Sequence, residues 1–158
     1  MKRLARLTCL TGLVGVIAAG WMGSTSPATQ AAAAAAQNGI EPVEPDMHEF
    51  MEHVFQPTFK RLRTAMAAEP ADNAVWKAIK ADSLILAEGG NLLLMRTPTD
   101  DAADWAKHSV HVRDFGSHLY RAAKTKDFPA ARKGYESMVT NCNACHHQFA
   151  GGEHILKP

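Results

Sequence analysis

The chain has 158 residues, 46% hydrophobic and 21% charged, a size and balance that describe one globular domain and exclude a disordered chain. Seventeen Lys and Arg against sixteen Asp and Glu leave a net +1, too even for a nucleic-acid or other polyanion binder. The three cysteines, Cys9, Cys142 and Cys145, are too few for a multi-disulfide framework.

Lys2, Arg3 and Arg6 head the chain, residues 7–22 carry no charge, and residues 25–36 are small and end in six alanines. A basic start, an apolar run and a small-residue stretch describe a cleavable secretory signal peptide. The run is shorter than the roughly 20 residues that span a bilayer, and Gly12, Gly15 and Gly20 weaken it further, which argues against an uncleaved anchor. Almost nothing apolar precedes Cys9, which argues against a lipid-anchored cysteine. Residues 1–36 are therefore expected to leave on export, the periplasm being the natural destination. The remainder carries fourteen bases and sixteen acids, and Cys142 and Cys145 become its only thiols, in an oxidising compartment.

Pro42 and Pro45 mark residues 37–45 as a flexible lead-in. From Asp46 onward apolar residues recur every three or four positions. Met47, Phe50, Met51, Val54, Phe55, Phe59, Leu62 and Met66 form the first stripe, with Pro57 inside it to kink the helix, and Glu69-Pro70 closes the stretch. Asp72 caps a second helix through Trp76, Ile79, Ser83 and Leu86, with Gly89-Gly90 as its expected end; residues 92–95 either continue it or fold back. A turn with an N-cap at residues 97–100 precedes Trp105, His108, Val112, Phe115, Leu119 and Ala122. Asp127 and Pro129 open the last helix, whose stripe runs from Phe128 through Tyr135, Met138 and Cys142 to Phe149 and stops at Gly151-Gly152. No segment alternates with period two. The expected fold is all-α, an antiparallel up-down-up-down four-helix bundle over residues 46–150, followed by a tail at 151–158.

Near the end of that last helix stands Cys142-Asn143-Ala144-Cys145-His146, the C-x-x-C-H pattern of covalent haem c attachment. Two thiols three residues apart share one helix face and reach the two vinyl groups on one porphyrin edge. His146, four residues after Cys142, presents an imidazole over the same face to the iron. Three alternatives compete. A zinc site needs two further ligands, for which His147 and His154 are available; a redox dithiol expects a βαβ setting; and a disulfide across one helical turn is geometrically awkward.

With Phe149, these residues resemble the C-x-x-C-H-x-x-F ending of the class II c-type cytochromes, the cytochrome c′ family. The resemblance covers roughly residues 46–150 and implies one covalent haem c per chain, His146 as proximal ligand, and often a homodimer through the first two helices. That family commonly carries Arg after the Phe, where this chain has Ala150, so its potential and spin state are not carried over. In such a bundle the other haem face meets the first helix. Met51 is the favoured distal ligand there and Met47 the second; His48 and His53 read as surface residues. The competing reading of both methionines is core packing.

Two functions follow. Electron transfer with redox partner proteins suits Met51 ligation; binding of nitric oxide or carbon monoxide suits an open distal site lined by Phe50, Met51, Val54 and Phe55. A peroxidase lacks its distal His and Arg pair in the first helix, and no catalytic triad or paired carboxylates stand out. His108, His111 and His118 read as a mixed solvent-facing and half-buried set, and Trp76 and Trp105 as packing residues. The basic run Lys60-Arg61-Arg63 is available to steer a docking partner.

Overall fold

The computed structural model describes residues 39–158; the expected signal peptide lies outside the described residues. Among the described residues the regular secondary structure is all helical, without strands. The first rod is continuous and has three parts, α1 (Met47–Phe50), a π-helical turn (Met51–Phe55) and α2 (Gln56–Ala65). It is followed by α3 (Asn73–Leu94), α4 (Ala102–Thr125) and α5 (Phe128–Phe149). None of these helices is long and apolar enough to cross a membrane.

Three of the four rods start where an aspartate side chain accepts backbone N–H groups that have no partner within the helix. Asp46 accepts from Glu49, Asp72 from Ala74 and Val75, and Asp127 from Ala130. The α4 start differs from the expected cap at residues 97–100. Asp101 is the N-cap, in the left-handed region at φ 53°, and its side chain makes no capping bond. Asp is among the few residues that adopt this conformation at modest strain.

The disruption expected at Pro57 takes the form of the π turn just ahead of it. The Gln56 N–H reaches back five residues to the Met51 carbonyl, and this wider turn accommodates a residue with no N–H whose ring crowds the carbonyl four back. The first rod ends at Ala65, before Glu69-Pro70.

The expected end of α3 at Gly89-Gly90 is wrong: the helix runs on to Leu94. These glycines serve close packing. A Cβ on Gly90 would stand 2.6 Å from the Arg113 backbone nitrogen and 2.7 Å from the Ser109 carbonyl oxygen, and one on Gly89 would stand 2.7 Å from the Phe55 ring.

Cross-helix contacts run in opposite sequence directions, so each neighbouring pair is antiparallel. Phe55 meets Gly89 and Arg61 meets Asp82; Trp105 donates to the Leu93 carbonyl while Gly116 abuts Ala87; His108 bonds Asn141 while Leu119 abuts Gly134. The core holds Leu62, Met66, Ile79, Leu119, Tyr135 and Met138, with both Trp76 and Trp105 buried as expected. Backbones pack closely between the first rod and α3, α3 and α4, and α4 and α5, but not between the first rod and α5. Those two meet through side chains, such as the stacked rings of Phe59 and Tyr135, 6.4 Å apart, and Arg132 donating to the Met66 carbonyl.

Candidate functional site

The separation of the first rod from α5 leaves a cavity of about 380 Å³, within the size range of small-molecule and cofactor sites. Met47, Met51, Phe55 and Phe59 form one wall; Met138, Cys142, Cys145, His146 and Phe149 form the opposite wall. Leu86 and Leu93 of α3 with Trp105 and Val112 of α4 make the floor, and His154 and Leu156 of the tail close one side. The lining is overwhelmingly apolar. The fold thus brings Cys142, Cys145, His146, Met47 and Met51 around one space.

Cys142 and Cys145 lie one helical turn apart, both half-buried and neither in a disulfide. Burial pushes the Cys142 thiol up to about 12 and the Cys145 thiol up to about 11, Cys145 adding a smaller upward push on Cys142. A redox dithiol needs the opposite shift, because the thiolate is the reacting form. The zinc alternative also finds no support, since among the described residues no three His, Cys, Asp or Glu side chains converge.

His146 is half-buried, and burial lowers its pKa, opposed by a hydrogen bond to the His154 backbone and helped by His154 and His147. That bond joins Nδ1 to the His154 carbonyl at 2.9 Å. A carbonyl only accepts, so Nδ1 carries the proton and Nε2 keeps its lone pair. This is the arrangement of a metal-binding imidazole, which almost always donates its second nitrogen to a fixed acceptor. Two thiols, one neutral imidazole nitrogen and an apolar cavity form a donor set that fits covalent haem c.

On the opposite wall Met51 and Met47 are both half-buried and both line the cavity. Of the other residues expected on the distal side, Phe55 lines it, whereas Phe50 and Val54 do not. Phe50 is buried instead under the Arg96 guanidinium, 3.7 Å from its ring centre. His53 is exposed beside Glu49; His48 is exposed beside Glu52 and also lines the cavity.

Sequence reasoning passed over the asparagines that flank Cys142. Asn141 is buried, donates from Nδ2 to the His108 carbonyl at 3.0 Å, and offers Oδ1 to Nδ1 of both His108 and His111 at 3.0 and 3.3 Å. His108 and His111 are thus half-buried network members, while His118 is exposed. Asn143 bonds the tail at Leu156. Nothing in the spacing signals either contact, because a single asparagine has no period. The basic run is also less available than its sequence suggests, since Arg61 is held by Asp82 at 2.6 Å and Lys60 by Gln56. No family model, curated protein or solved structure matches the chain.

Proposed function

We propose that the protein is an exported haem c protein that transfers electrons. The observation that carries this reading is one apolar cavity with Cys142, Cys145 and His146 on one wall and Met51 and Met47 on the other. When bound, haem supplies one-electron chemistry at iron. Cys142 and Cys145 would anchor its edge as thioethers, and His146 Nε2 would bind iron on the proximal side. Met51, with Met47 as the second choice, would offer its sulfur to the iron from the opposite wall, and a ligand set unchanged between oxidation states would limit rearrangement. The apolar floor excludes water and, with the axial ligands, sets the potential.

The second reading is a five-coordinate protein that binds nitric oxide or carbon monoxide. It is favoured by the distal wall, where Phe55 and Phe59 offer no donor and both methionines are also positioned as packing residues. For a homodimer the outer face of α3 exposes Leu84, Ile85 and Leu92. Redox partner proteins fit the electron-transfer reading, and a periplasmic location fits the N-terminal address.

Spectra of the mature protein, made in a host that attaches haem c, separate the two. Low-spin ferric iron with a methionine-to-iron charge-transfer band that disappears in Met51→Ala is the expected result. High-spin iron that takes up carbon monoxide readily when ferrous would replace electron transfer with gas binding. The Cys142→Ala, Cys145→Ala double variant should release any haem to acid-acetone; haem retained by that variant would refute the attachment.

A further inference from the structure

Residues 151–158 turn back along α5. Gly151 and Gly152, at φ 62° and 78°, reverse the chain, and the Gly152 N–H donates to the His146 carbonyl at 3.0 Å. The His154 carbonyl then accepts from His146 Nδ1. Two residues later one side chain holds Leu156 at both of its backbone groups. Asn143 Nδ2 donates to the Leu156 carbonyl at 3.0 Å, and the Leu156 N–H donates to Asn143 Oδ1 at 2.8 Å. Using both ends of the amide fixes its orientation. Asn143 and His146 are three residues apart and share a helix face, so one strap bridges them. Its free course is restricted further by Leu156, which packs against the core. His154 itself sits at φ 58°, a left-handed conformation that a non-glycine residue keeps only where its surroundings impose it.

We infer that Asn143 is the positioning residue for His146: by clasping Leu156 it holds the His154 carbonyl against Nδ1 and keeps Nε2 as the nitrogen that faces the cavity. The inference rests on the proposed function for its consequence at iron. A carbonyl on Nδ1–H makes the imidazole a more basic ligand, which favours the ferric state and lowers the potential.

The test compares the haem-loaded mature protein with Asn143→Ala, with a chain ending at Gly152, and with both changes combined. Each single change should raise the midpoint potential and, in a Met51→Ala background that leaves ferrous iron five-coordinate, lower the iron–histidine stretching frequency. The combination should add nothing, because both changes remove one contact. Asn143→Ser, too short to bridge both Leu156 groups, is the second variant if Asn143→Ala does not accumulate. A shift on truncation with none in the Asn143 variants would overturn the assignment, and so would no shift in any of them. If the unaltered protein carries no histidine-ligated haem, the proposed function fails. The clasp is then decided by imidazole ¹⁵N shifts of His146 in the mature chain. The Nδ1–H tautomer that Asn143→Ala abolishes supports it, and identical tautomers in both chains overturn it.

Discussion

Tyr135 is entirely buried, stacked on Phe59, and its hydroxyl has no hydrogen-bond partner among the described residues. A buried unsatisfied hydroxyl costs about 1–3 kcal/mol, a penalty absent when the polar group is removed without changing the shape. Tyr135→Phe is therefore expected to leave the protein as stable at pH 8 or more stable, by up to that amount. Burial also raises the Tyr135 pKa, which nearby Arg132 and Arg63 partly offset. The folded state holds the phenolic proton more tightly than the unfolded state, so this contribution is complete below pH 10 and is lost as pH rises through the folded value. The difference between wild type and Tyr135→Phe is the quantity to measure, because it cancels every other group that titrates in the same range. Urea unfolding at pH 8 and pH 11 should show the variant losing less stability on the alkaline side; equal losses would show that Tyr135 does not ionise there on unfolding.

At the scale of the element, Gly90 decides how closely α3 and α4 pack. Alanine improves helix propensity by about 1 kcal/mol, yet its Cβ would meet backbone atoms of Arg113 and Ser109 inside 3 Å. Overpacking against atoms that cannot rotate away costs about 1–3 kcal/mol, so Gly90→Ala should destabilise the protein, read as a lower urea midpoint at unchanged slope. The same position shows where sequence reading stops. Glycine pairs mark helix ends through backbone freedom, and only the neighbouring helix reveals that Gly90 is needed for close approach. The stripes were legible because burial repeats with the helical period: Trp76, Ile79, Ser83 and Leu86 are all buried, as are Val112, Leu119, Tyr135 and Met138. That Cys142, Cys145 and His146 line one cavity was legible because residues three and four apart share a helix face. The clasp of Asn143 on Leu156 spans thirteen residues through a turn, and such a contact leaves no periodic trace. Arg96, which donates to the Glu44 carbonyl and covers Phe50, was illegible for the same reason, although it ties the lead-in to the end of α3.

At the scale of the molecule, the first rod and α5 stand apart around a cavity that the polypeptide does not itself fill. An apolar cavity of about 380 Å³ leaves the side chains that line it without packing partners on one side, which forfeits their dispersion contacts. Small domains have about 5–15 kcal/mol of stability in total. A group packed into this space would therefore be part of what holds the bundle together, and the proposed covalent attachment to α5 would keep it there during local opening. The Cys142→Ala, Cys145→Ala chain freed of haem should keep much of its helical circular dichroism, because the helix caps and the α3–α4 and α4–α5 contacts remain. It should lose its sharp calorimetric transition and bind a dye specific for exposed apolar surface. An equally cooperative transition at the same temperature in the haem-free double variant would mean that the first rod packs against α5 without a filling group, and that the cavity is not what the bundle is built around.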